Sequence, residues 1–454
     1  MDTAVNKKNI IADYLDCYNK NQKVLFADYP EFIRRLHEEG IEEFNKLGIP
    51  GKKSERYKYT NLEPYFGKEY KFETIPGNFN FEISEVFKCD VPFIETDVVL
   101  LVNGFYYYKN QFNGSLPGNI WIGSLKKAFK EKPELLQQYL GKYATYDDGL
   151  IALNSALFLD GVFIYVPKNA RIDKPLQIIN ILLSEENLIV HQRNLIILDD
   201  NSSASIVICD HTLTDKNHLT NSITEIFVGE GARFNQTCLQ NEHNEATKIS
   251  STFLYQKSNS HVTNNIITLH GGMVRNNVKS VIDGENAEAN ITGLYLTDKQ
   301  QHVDNFIFVN HAKPHSQSNQ LFKGILDDNS SGSFYGRILV SRDAQKTNAY
   351  QKSSSLLLTA EAKMNARPQL EIYADDVKCG HGGTVGQLDQ EALFYLQSRG
   401  IGKDEARLLL MFAFAHEIVD HIDIKPLKER IDDLVNKRLR GELSRCQNCT
   451  IHCC

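Results

Sequence analysis

Val166-Pro-Lys-Asn-Ala-Arg-Ile172, Leu198-Asp-Asp-Asn-Ser-Ser-Ala-Ser-Ile206 and Val228-Gly-Glu-Gly-Ala-Arg-Phe234 are three variants of one turn. Each leaves an apolar residue, passes through Asp, Gly or Pro and a few small or polar residues, and re-enters on an apolar residue. Ile282-Asp-Gly-Glu-Asn-Ala-Glu-Ala-Asn-Ile291 and Leu326-Asp-Asp-Asn-Ser-Ser-Gly-Ser-Phe334 repeat the pattern. The starts lie 32, 30, 54 and 44 residues apart, and 54 is twice 27, so the chain has a quasi-period near 30 with one irregular interval. A period of that size through strand-forming sequence predicts a solenoid of stacked β-coils. Small turn residues suit places where successive coils stack closely. The rival reading is a β-sandwich, whose turns recur every eight to twelve residues or so.

Between the turns lie runs of β-branched and aromatic residues, at Val162–Val166, Leu176–Leu182, Leu195–Leu198, Ile206–Ile208 and Ile226–Val228. Such runs continue to Ile372 without a helical pattern. An open stack of coils leaves unpaired backbone at both ends, and helical regions on either side are candidates to cover it. On the N-terminal side, Ile10, Ile11, Tyr14 and Leu15 share one face of a predicted helix, and Phe32, Ile33 and Leu36 a face of another. Pro30 suits the first position of the second helix, and Gly48-Ile-Pro-Gly51 ends it. A short strand at Val98–Asn103 and a helix over Leu125–Tyr139 follow. On the C-terminal side, Asp389 is a predicted N-cap and Gly400 a stop. Asp404 opens a longer helix to Ile422, and Pro426 a third with Leu427, Ile431, Leu434 and Leu439 as its stripe; the three should pack as a small bundle. The expected fold class is mainly β with α, a parallel β-helix core flanked by helical N-terminal and C-terminal regions. The boundaries are residues 1–157 for the N-terminal region, 158–385 for the core, 386–445 for the C-terminal helices and 446–454 for a cysteine-rich tail.

At 454 residues with net charge -7 the chain has no basic excess to neutralise a phosphate backbone, so nucleic acid is not an expected partner. Met1–Asn9 lacks the apolar core of a secretion signal. The longest apolar run, Leu408–Ala415, is far short of the ~20 residues of a membrane span and reads as a buried helix face. Cys17, Cys89, Cys209, Cys238 and Cys379 are scattered singly, as reduced cytosolic thiols are.

Three stretches resemble the SufB/SufD family. Leu47-Gly-Ile-Pro50 with Glu55-Arg-Tyr-Lys-Tyr-Thr-Asn-Leu62 is similar to the family's N-terminal motif, with Tyr57 in place of the usual tryptophan. His302-Val-Asp-Asn305, Lys323-Gly-Ile325 and Ala344-Gln-Lys-Thr-Asn-Ala-Tyr-Gln351 look like its core signatures. The densest likeness runs from Lys363 to Asp389 and includes Tyr373-Ala-Asp-Asp-Val-Lys-Cys-Gly-His-Gly-Gly-Thr-Val-Gly-Gln-Leu-Asp389; Ala392–Ile401 continues it. The Lys-Cys-x-His-Gly-x-Thr form is more like SufD than SufB, and Gly380 stands where SufD proteins usually have serine. The resemblance implies a right-handed β-helix and a non-catalytic scaffold subunit of the cytoplasmic SUF iron–sulfur cluster assembly complex. It implies pairing with a SufB-like scaffold through the β-helix and with a SufC-like ABC ATPase through the C-terminal helices. A cysteine desulfurase would be an indirect partner. The implied cofactor is a transient Fe–S cluster at the interface with SufB, with none held firmly by this chain alone.

Cys379 and His381 stand two apart, so on an extended backbone they share a face. A thiolate and an imidazole are suitable iron ligands, although on the residues alone packing at an interface is the plainer reading. The resemblance makes His381 an interfacial ligand or proton carrier, with Cys379 second to it. The glycines around them are not a phosphate loop, because the Gly-Lys-Ser/Thr ending is missing. His302 and Asp304, with His311 and His315 nearby, allow a metal site, but a polar outer face of the β-helix reads more plainly. Cys446, Cys449, His452, Cys453 and Cys454 supply enough soft ligands for zinc or a transient cluster. Two other functions compete: a homodimeric SufB-like scaffold, and a β-helix carbohydrate-active enzyme, which would need an open groove of carboxylates.

Overall fold

The computed structural model describes residues 6–26, 29–77, 79, 95–107 and 114–442. Short strands β1 (Lys71–Phe72), β2 (Asp97–Val102), β3 (Phe105–Tyr106), β4 (Gly114–Ser115) and β5 (Trp121–Ser124) precede a two-sheet solenoid. One sheet stacks β6 (Val162–Val166), β8 (Leu188–Leu198), β10 (His218–Val228), β12 (Thr247–Gln256), β14 (Met273–Ile282), β16 (His302–His311), β18 (Ser331–Val340) and β20 (Lys363–Ile372). The other stacks β7 (Leu176–Leu182), β9 (Ser203–Thr212), β11 (Arg233–Asn241), β13 (His261–His270), β15 (Glu288–Thr297), β17 (Gln317–Leu326), β19 (Asn348–Leu357) and β21 (Lys378–Gly386). Each of these strands pairs in parallel with the strand two along, which makes a parallel β-helix and removes the sandwich reading.

The register explains the turn spacing. In the first sheet Val166, Leu198, Val228, Gln256, Ile282, His311 and Val340 align in one column, at steps of 32, 30, 28, 26, 29 and 29 residues. The 54-residue interval is two coils. The irregular 44 runs from Ile282 in one sheet to Leu326 in the other, one coil plus the half-coil to Thr297. The first corner of every coil but the last carries one residue with φ between 55° and 65°: Asn169, Asn201, Gly231, Asn259, Asn286, His315 and Lys346. Asparagine tolerates this left-handed conformation better than most residues. The corners also stack: Asn201 Nδ2 donates to Asn169 Oδ1 at 3.3 Å, and Asn286 Nδ2 to Asn259 Oδ1 at 3.4 Å. At Gly231 a β-carbon would sit 2.5 Å from Asn201 Oδ1, so that corner takes glycine.

The N-terminal helices are α1 (Asn6–Leu25), α2 (Glu31–Leu47), α3 (Glu63–Phe66), α4 (Leu125–Glu131), α5 (Pro133–Tyr139) and α6 (Gly149–Leu157). Pro30 is the N-cap of α2 rather than its first residue. The helix expected over Leu125–Tyr139 is two, because Pro133 interrupts it. Ile10, Tyr14, Ile33 and Phe44 form one apolar core with Phe163, Leu195, Ile197 and Phe227 on the outer face of the first sheet. The backbones of α2 and α6 touch at Gly40, where a β-carbon would lie 2.7 Å from Ala156 N.

The C-terminal helices are α7 (Gln390–Ser398), α8 (Lys403–Val419) and α9 (Lys425–Leu439). Asp389 caps α7 through Glu391 N and Ala392 N, whereas α8 starts one residue before Asp404 and stops at Val419. Met411, Ala415, Ile418, Leu427 and Ile431 pack on Leu239, Ile267 and Leu294, the outer face of the second sheet. The helices therefore cover that sheet as well as each other. The Leu408–Ala415 run is only partly buried, and Leu409 keeps 43% of its surface in solvent. Among the described residues no helix is long and apolar enough to cross a membrane.

Burial holds His37, His191 and His270 down to about 3, and His218 and His311 to about 4. An unfolded histidine titrates near 6.5 or so. These rings fold neutral, so below that value the unfolded chain binds more protons and gains on the folded one. Stability should fall as pH drops from roughly 6.5 toward 4, by as much as ~1.4 kcal/mol per pH unit for each ring. Melting curves at pH 7.5 and 5.5 check this, and an unchanged Tm would contradict the neutral buried rings.

Candidate functional site: the open end of the solenoid

The two sheets end at β20 and β21, each hydrogen-bonded on one side only. The C-terminal helices lie along a face rather than over this end, so among the described residues it stays uncapped, contrary to the suggestion that helices cover both ends. On β21, Cys379 aligns with Ala349 and His381 with Gln351. Cys379 packs beside Ile338, Val340, Ala349 and Ala374, an interior cluster. His381, two along, stands on the same lumen side of the strand, where the coil above is missing, and is exposed. Gly383, next on that side, would place a β-carbon 3.6 Å from Pro368 on β20. The structure thus puts Cys379 and His381 on one face but in different surroundings. Burial raises the Cys379 thiol pKa, which works against a thiolate.

Large apolar side chains surround this end: Tyr350 is 51% exposed, Tyr373 64%, Val385 42% and Ile372 40%. Gly380 points outward with Tyr350 lying over it; a β-carbon there would stand 3.2 Å from the ring. A second exposed group sits on the helices, with Phe394 at 72% and Tyr395 at 57%. Lys323, from the Lys323-Gly-Ile325 signature, ties α8 to the solenoid. Its Nζ donates to Phe414 O at 3.0 Å and pairs with the Glu417 carboxylate.

The N-terminal motif and the His302–Asn305 signature meet in one buried clamp on the first sheet. The Arg275 guanidinium stacks 3.9 Å from the Tyr57 ring centroid and pairs with Asp304. Thr60 Oγ1 donates to Asp304 and lies 2.9 Å from His302 Nε2, while His302 Nδ1 meets Ser331 Oγ at 2.8 Å. His302 and Asp304 therefore stand on the polar outer face of the β-helix, as read from the sequence, and that face is packed beneath the N-terminal segment. His311 is bonded inside the lumen to Ser316 and Ser318 at 2.7 and 2.8 Å.

The lumen itself carries a polar group that sequence reasoning missed. Lys248 Nζ lies 2.9 Å from Asp210 and 3.5 Å from Glu242, all three buried. Burial opposes the ammonium charge, but the two carboxylates outweigh it and raise the Lys248 pKa; burial also raises Glu242 and, nearby, the Cys238 thiol. The available signal was the polar residues at alternate positions in Lys248-Ile-Ser-Ser-Thr252. Among the described residues no group of three His, Cys, Asp or Glu side chains is arranged to hold a metal. The tail candidates Cys446, Cys449, His452, Cys453 and Cys454 lie outside the described residues.

The chain matches two family models: the SufBD protein N-terminal region over residues 8–178, and the SufBD core domain of SUF-system FeS cluster assembly over residues 181–414. It is 28% identical to the iron–sulfur cluster assembly protein SufD of Escherichia coli, over 88% of this chain and 92% of that protein. It is 25% identical to SufD of Bacillus subtilis, over 96% and 100%, and 27% identical to an iron–sulfur cluster assembly SufBD family protein of Synechocystis, over 92% and 94%. With the core model alone covering more than half of its length, the chain belongs to the SufBD family of SUF-system iron–sulfur cluster assembly proteins.

Proposed function

We propose that this chain is a non-catalytic scaffold subunit that builds Fe–S clusters, in the cytoplasm, at an interface with a SufB-like partner. The observation that carries the reading is the uncapped last coil, where exposed Tyr350, Ile372, Tyr373 and Val385 share the open end with His381. Unpaired strand edges with apolar flanks invite another chain, and a β-helix of the same width continues the stack. His381 supplies an imidazole and Cys379 a less accessible thiol. Two such side chains are too few for a cluster, which takes four protein ligands as a rule, so the remaining ligands would come from the partner. The cluster is then cargo shared across the interface and leaves with its recipient, its sulfur supplied by a desulfurase.

The exposed aromatics of α7 are the proposed grip for a SufC-like ABC ATPase, whose nucleotide chemistry this chain does not perform. Tagged chain purified without oxygen from its host, and weighed by native mass spectrometry, should carry both partners. A homodimer free of both would overturn the reading in favour of a self-sufficient scaffold. Replacing Phe394 and Tyr395 together by aspartate should weaken ATPase binding by about thirtyfold or more, the scale of an aromatic interface anchor, and leave the SufB-like partner bound. Isothermal titration of each partner checks this, and equal ATPase affinity would remove the helices from that role.

A further inference from the structure

Two buried carboxamides lie in the column beneath His381 with nothing to bond. His381 aligns with Gln351, and Gln351 with Gln320. All three stand on the lumen side, in the alternation that also turns Cys379 and Ala349 inward. Gln320 and Gln351 are 0% and 1% exposed, yet both amide atoms of each are without a hydrogen-bond partner among the described residues. Gln351 reaches across the lumen to Gly336, whose missing side chain makes the room; a β-carbon there would sit 2.1 Å from Nε2. Packing alone does not require an amide in this column, since Ile291 occupies the next coil down. A buried amide left unpaired costs its full desolvation. Such groups are retained where they have a partner to serve.

We propose that Gln351 positions His381. Rotated upward by its own χ angles, its carboxamide oxygen accepts the Nδ1–H of the ring about 4.8 Å above it, one strand spacing away. Nε2 is then left bare and directed out of the open end. Gln320, one coil deeper, steadies the Gln351 amide in turn. An imidazole held through its inner nitrogen presents the other to iron or to a proton in one tautomer and one orientation. The proposal rests on the reading of His381 as an interfacial ligand or proton carrier, and it assigns Gln351 a positioning role.

The test is nitrogen-15 NMR of the full chain with labelled histidine, at about pH 8.5, where ordinary imidazoles are neutral. The His381 signals are those missing from His381→Ala. In the parent and in Gln351→Glu, which keeps an acceptor, the Nδ1–H tautomer should dominate. In Gln351→Met, close in shape but without the acceptor, the ring should revert to the Nε2–H form that a free imidazole favours. An Nε2–H majority in the parent, or no change of tautomer in Gln351→Met, overturns the proposal. If Gln351→Met does not fold, the tautomer of the parent decides. None of these signals depends on a partner, so they stand apart from the cluster reading, which His381→Ala tests separately. In the partnered complex, Gln351→Met should slow cluster formation about tenfold, the scale of a lost outer-shell bond to a ligand; an equal rate would overturn the functional part.

Discussion

Replacing His381 by alanine should lower the yield of clusters formed by the partnered complex by about tenfold or more, with the complex still assembled. The scale follows from metal sites, where losing even an outer-shell partner of a ligand costs 10–100-fold or so. His381 is exposed at the rim and buries no ring, so its removal leaves no cavity. The apolar side chains around it, Tyr350, Tyr373 and Val385, are untouched and still hold the partner. Anaerobic reconstitution with iron and sulfide, read as iron and sulfide retained per complex, measures the effect. A full yield from His381→Ala would remove the role given to it. Cys379→Ser should do less, because that thiol is packed among Ile338, Val340 and Ala349 and burial raises its pKa.

The largest stability effect is expected at Glu225. Its carboxylate is wholly buried and lies 2.6 Å from the Arg193 guanidinium, itself wholly buried. It also accepts from Gly141 N at 2.8 Å and Tyr143 N at 3.3 Å, so it joins β10 to the segment after α5. Arg193 holds Asn154 and Ser155 of α6 at 3.3 and 3.2 Å. Glu225→Ala strands a buried cation and three backbone donors, Ala144 N at 3.4 Å being the third, and should cost about 3–5 kcal/mol. The urea midpoint read by circular dichroism should fall accordingly. Arg193→Met with Glu225→Leu should recover much of the loss, because an apolar pair needs no desolvation of charge. A single Glu225→Ala variant within about 1 kcal/mol of the parent would contradict the pairing.

Much of the architecture was legible because it is local. Strands Val162–Val166 and Leu176–Leu182 were readable to the residue from β-branched runs, and Asp389 as a cap from its place before an apolar stripe. The irregular 44-residue interval was not interpretable in one dimension, since it crosses from one sheet to the other. His302 and Asp304 were legible as a polar outer face, but nothing near them in sequence says that Thr60 and Arg275 will cover them. The Asp210, Glu242 and Lys248 group was missed for a related reason. Strands β9 and β12, which carry Asp210 and Lys248, are buried on both faces, so the alternation in Lys248–Thr252 does not by itself say which side is the lumen.

The sequence by itself determined the coil length, the small or polar corners and the order of helix, solenoid and helix. Each of these is set by backbone sterics or by contacts within one coil. Only the tertiary structure decided that the C-terminal helices lie along the second sheet, so that β20 and β21 end unpaired and His381 sits at an open rim. It also decided which side chain stands under His381. That depends on the register between β19 and β21, thirty residues apart, and such stacking is fixed by the summed fit of all the coils rather than by any one stretch.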